Sequence, residues 1–106
     1  MEIADWRKQI DELDCRLVEL LNQRARAAQE IGKLKRNTSM PIYEPDREKT
    51  IFENVRRANR GPLPDHELRH VYERIIDVMR NIQKIEIVDE APAVHGTTEY
   101  DREGND

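Results

Sequence analysis

Two cations fall on one helical face of this chain, with a glycine between them near it. Lys35 lies eleven residues beyond Arg24, which is about 20° around a helix, and Gly32 falls between them near that face. Arg24 itself takes a position in an otherwise apolar stripe, between Leu20 and Ala27. An unpaired guanidinium is costly in a low-dielectric seam, so a carboxylate of the protein or an acidic ligand should meet it there. Gly32 removes a side chain where a ligand or another helix comes close. Together they read as an anion site. The alternative for Lys35 is a solvated residue near a helix C-terminus, favoured there by the dipole.

Other polar residues can extend that site or belong to the surface. Arg7 precedes Arg24 by seventeen residues, roughly 25 Å along a helix, so within one chain the two cannot share a small ligand. An antiparallel partner helix would bring its own Arg7 back to Arg24; otherwise Arg7 is a surface partner for Asp11. Glu44, Arg47 and Glu48 cluster at a helix start, and the two glutamates, four apart, repel unless a cation or a ligand hydroxyl sits between them. Ordinary first-turn acidity explains them equally. Gln83 puts a neutral amide at the end of the line Tyr72, Ile76, Met79, either as a ligand group or as a buried hydrogen-bonder to backbone. His66 and His70 lack the carboxylate or cysteine pattern that completes a metal site and read as surface residues. Cys15 has no base at motif spacing and carries no nucleophilic role. Trp6 and Tyr43 read as packing residues.

The elements that must position these groups are helices. Ile3, Trp6, Ile10, Leu13, Leu17, Leu20, Ala27, Ile31 and Leu34 alternate steps of three and four, predicting one helix from about Ile3 to Arg36. Asn37 to Pro41 reads as a loop. A second helix should run from about Pro45, a proline suited to a first turn, to Arg60, where Gly61-Pro62-Leu63-Pro64 stops it. A third opens near Asp65, carries Leu68, Val71, Tyr72, Ile75, Ile76, Met79 and Ile82 at helical spacing, and frays between Ile85 and Val88. The first helix is on the order of 50 Å long, whereas a compact domain of this size has a radius of gyration of about 13 Å. Much of its stripe would stay wet in a single copy. The expected architecture is all-α, with three helices per protomer intertwined in a homodimer.

Composition bounds the function. With 106 residues the chain is one domain, and 37% hydrophobic against 38% charged residues suits thin, solvated helices. A net charge of -4 does not favour nucleic-acid binding. The single cysteine excludes an intramolecular disulfide and agrees with a reducing, cytoplasmic setting; from the charged N-terminus neither a signal peptide nor a membrane span is expected. The ordered domain is expected over 1–88. The acidic 89–106, with little to bury, reads as a disordered tail.

The order Trp6-Arg7-x-x-Ile10-Asp11-x-Leu13-Asp14, Leu20-Leu21-x-x-Arg24, Ile31-Gly32-x-x-Lys35, Pro45-Asp46-Arg47-Glu48, and finally Ile75-Ile76 with Gln83, resembles the all-helical chorismate mutase class over roughly residues 5 to 86. The resemblance implies an interlocked three-helix homodimer without cofactor or metal. It implies the pericyclic rearrangement of chorismate, a dicarboxylate enol ether, to prephenate in aromatic amino acid biosynthesis. No nucleophile or proton transfer is needed, so catalysis must come from conformational restraint and from stabilising charge on the ether oxygen. By resemblance, Arg24 and the other protomer's Arg7 hold carboxylates and Arg47 adds positive field. Lys35 and Gln83 donate to the ether oxygen, and Glu48 accepts from the ring hydroxyl, aided by backbone near Glu44. Met79 is a departure: many members carry a serine there, and a thioether cannot replace that donor.

Two rivals stand beside this reading. Isochorismate pyruvate lyases share the fold, but typically lack an acidic residue after the second-helix arginine, where this chain has Glu48. A non-catalytic helical dimerisation or regulatory module would instead pair Arg24 with a buried carboxylate such as Glu48.

Overall fold

Local signals of the sequence set the helix ends. In the computed structural model, which describes residues 1–88, α1 spans Ile3–Lys35, α2 Pro45–Ala58 and α3 Asp65–Ile87. The described residues contain no strand. The expected tail lies outside them.

α1 opens where the Glu2 backbone N–H donates to Asp5 Oδ2 at 2.8 Å, satisfying one donor that the first turn would leave bare. It closes at Lys35, a residue short of the expected end, because Thr38 turns back: its N–H and its hydroxyl both donate to the Lys35 carbonyl. α2 begins on Pro45, whose missing N–H is no loss in a first turn. It stops at Ala58 rather than Arg60. Asn59 leaves the helical region, and its side-chain amide donates to the Leu63 carbonyl and to Asp65 Oδ1 while its oxygen accepts from the Gly61 N–H. Gly61 sits at φ 72°, a left-handed conformation that glycine adopts at no steric cost. One side chain thus stitches α2 to α3.

α3 is the shared element: α1 and α2 each pack against it and not on each other. Ala28 of α1 with Ile76 and Met79 of α3 form the buried apolar core. That core is small. Trp6, Leu13, Leu17 and Leu20 of α1 remain 53%, 50%, 54% and 60% exposed, so the N-terminal half of the helix projects with its stripe uncovered. The molecule extends 53 Å along its longest axis, in keeping with the predicted rod. No described helix is long and apolar enough to cross a membrane.

Candidate active site

Where α1 passes α3, a cavity of about 420 Å³ opens toward the start of α2. Arg24, Ala27, Ala28 and Ile31 supply its α1 wall. Ile42, Glu44, Arg47, Glu48 and Ile51 come from α2 and the loop before it, and Ile76, Met79, Arg80 and Gln83 from α3. Six of the eight residues singled out from the sequence therefore line one cavity: Arg24, Glu44, Arg47, Glu48, Met79 and Gln83. A larger groove of about 700 Å³ runs between α2 and α3, around Phe52 and Arg69. The smaller cavity is the better candidate because polar groups from all three helices converge on an apolar floor.

Lys35 is not solvated. It is 5% exposed, and its ammonium donates to the Pro41 carbonyl at 2.8 Å, Glu44 Oε1 at 2.8 Å and Gln83 Oε1 at 3.0 Å. Three donors meet three acceptors, which is what lets a lysine be buried at all. The surface alternative for Lys35 is therefore excluded. Its ammonium, however, stands behind Glu44 and Gln83 and does not itself line the cavity.

The same contact orients Gln83. Lysine only donates, so the amide oxygen must face it, which leaves Nε2 as the end available to a ligand. Gln83 thus serves neither of its two readings alone: its oxygen is bound by a side chain, not backbone, and its nitrogen remains a donor.

Gly32 answers to a helix. A Cβ at this position would stand 2.9 Å from Glu86 Cβ and 3.0 Å from Gln83 Cα, so the missing side chain lets α3 approach α1 behind the cavity. Arg36 fastens the same end, Nε donating to the Glu86 carbonyl at 2.9 Å.

Charge in the cavity is unevenly matched. Glu44 is paired with Lys35 and Glu48 with Arg80, at 2.8 and 3.1 Å. Among the described residues no carboxylate comes within ion-pair distance of Arg24 or Arg47. The expected Arg24–Glu48 pair of a non-catalytic module does not form, because Arg80 takes the carboxylate first. Two guanidiniums without an ion-pair partner, lining one cavity, suit a doubly anionic ligand.

Met79, 6% exposed, is both core and cavity wall and offers no hydrogen-bond donor. Arg7 is exposed and far from the cavity within one protomer, and it makes no ion pair with Asp11 among the described residues. His66 and His70 lie on the surface beside Glu67 and Glu73. Tyr43 is exposed, with its ring under the Arg80 guanidinium. Arg80 itself was missed by sequence reasoning. Its position one turn before Gln83 on the same helix face was the available signal.

Known proteins resemble this chain in sequence and fold. The chorismate mutase type II family profile matches residues 6–84. A bifunctional chorismate mutase/prephenate dehydratase of Aquifex aeolicus is 38% identical over 87 residues, covering 78% of this chain and 24% of that protein. A chorismate mutase of Methanocaldococcus jannaschii is 27% identical over 84 residues, 78% of this chain and 85% of that protein. Among solved structures, form II of a Thermus thermophilus chorismate mutase superposes with a TM-score of 0.75 at 30% identity, covering 77% of this chain and 93% of that one. The chain spans about a quarter of the length of the bifunctional relatives it matches.

Proposed function

The chain belongs to the type II chorismate mutase family, and from that membership we propose that it rearranges chorismate to prephenate. The observation that carries the reading is the pair of unneutralised cations, Arg24 and Arg47, facing one cavity with the Gln83 amide turned to donate. Chorismate carries two carboxylates and an ether oxygen that gains negative charge as its bond breaks. Arg24 grips one carboxylate, Arg47 supplies positive field, and Gln83 Nε2 donates to the ether oxygen. Glu48 accepts the ring hydroxyl. Met79 contributes shape.

Lys35 enters in a second step. Its three donors are occupied in the free site, so it reaches the ether oxygen by exchanging an existing acceptor, and Glu44, whose side chain is 36% exposed, is the partner freest to turn away. Until then Lys35 fixes the Gln83 amide. A donor aimed at developing charge in such a site is worth about 3 kcal/mol of barrier.

The cavity and the uncovered stripe belong to the same helix: Arg24 lines the one while Leu20, four residues earlier, stays exposed in the other. We infer a homodimer in which that stripe is covered by a second copy and the partner's Arg7 closes the cavity over the other carboxylate. The functional unit is residues 1–88. A cytoplasmic enzyme is the setting consistent with the lone, exposed Cys15.

Mixing the purified protein with chorismate tests the reading. Loss of the chorismate ultraviolet absorbance with prephenate as product is expected; in a parallel assay supplied with isochorismate, release of pyruvate instead would point to the lyase, and no turnover of either substrate to a binding module.

A further inference from the structure

Glu48 does not stand free on α2. Its Oε2 is buried 3.1 Å from Arg80 Nε, an ion pair by distance in which neither atom has an aligned hydrogen-bond partner. Arg80 is held from two other sides. Its Nη2 donates to Asp77 Oδ1 at 2.7 Å, one turn earlier on α3, and its guanidinium carbon lies 5.4 Å from the centre of the Tyr43 ring. Two helices and the loop before α2 therefore meet at one planar cation.

We propose that Arg80 is a positioning residue of the mutase site: it holds the Glu48 carboxylate on the cavity wall, ready to accept the ring hydroxyl of the substrate. The inference rests on the mutase reading above. Without Arg80, Glu48 would lose its ion pair across to α3, and its three rotatable bonds would let it turn toward solvent. Substrate binding would then have to order it afresh. A direct grip on a substrate carboxylate suits Arg80 less well, because its charge is already met by Glu48 and Asp77 while Arg24 and Arg47 have no described carboxylate within ion-pair distance.

A double-mutant cycle tests this. Steady-state kinetics on chorismate would be measured for wild type, Arg80→Met, Glu48→Gln and the double variant, with thermal melts of each to verify folding. Arg80→Met is expected to raise KM on the order of tenfold with a smaller change in kcat. Arg80→Lys should recover part of that loss. The double variant should be no worse than Glu48→Gln alone, since Arg80 would have nothing left to hold. On a chorismate analogue whose ring hydroxyl is replaced by hydrogen, the Arg80→Met penalty should vanish. Additive losses, or an equal penalty on the analogue, would overturn the inference while leaving wild-type mutase activity intact. A wild-type protein that does not turn over chorismate would instead overturn the mutase reading, and this inference with it.

Discussion

Gly32 and Gln83 face each other across the crossing of α1 and α3 so closely that a Cβ on residue 32 would stand 3.0 Å from the Gln83 Cα and 3.1 Å from its carbonyl oxygen. The glycine therefore sets how near the Gln83 amide comes to the Lys35 ammonium.

Gly32→Ala should force the helices apart, since the obstructing atoms at residue 83 belong to backbone and cannot swing away. Overpacking of this kind costs about 1–3 kcal/mol, partly offset by the better helix propensity of alanine. A lower melting temperature together with reduced kcat is expected in thermal denaturation and chorismate assays. A fully active, equally stable variant would show that the crossing can relax freely.

Lys35→Ala removes the donor shared by Pro41, Glu44 and Gln83. Turnover should fall by about 10²- to 10³-fold, the effect of losing one donor to developing charge. Stability should drop as well, because the Gln83 oxygen loses its partner. Wild-type turnover in this variant would refute the assignment.

An amide does not titrate, so Gln83 stays a donor at every pH. The wild-type rate should therefore not climb steeply as pH falls below neutral. In Gln83→Glu the side chain donates only when protonated, and activity should be recovered toward acidic pH. A kcat profile for both proteins checks this; a flat profile for the glutamate variant would remove Gln83 from the donor role.

Arg7 and Lys35 are predicted to serve one site from two protomers. Arg7→Ala and Lys35→Ala homodimers should each be weakly active, Arg7→Ala losing both binding and turnover. A co-refolded equal mixture should regain activity, because each heterodimer assembles one intact site of its two, about a quarter of all sites after random pairing. Sedimentation should report a dimer throughout. Absence of complementation in a proven heterodimer would place Arg7 outside the site.

The three helices were legible in the residues alone because their signals are local: steps of three and four along α1, Pro45 at a first turn, Gly61 to Pro64 as a stop. The common face of Arg24, Gly32 and Lys35 follows from helical geometry in the same way. Partners across helices do not. Whether Lys35 was solvated, whether Gly32 met a ligand or a helix, and which cation claimed Glu48 all depended on how α3 lies against α1 and α2. Periodicity along one strand of sequence carries the angle of a residue about its own axis, but not the identity of the atoms opposite. Arg80 went unseen for that reason: its chemistry is created by Glu48 and Tyr43, residues more than thirty positions away that only packing brings within reach.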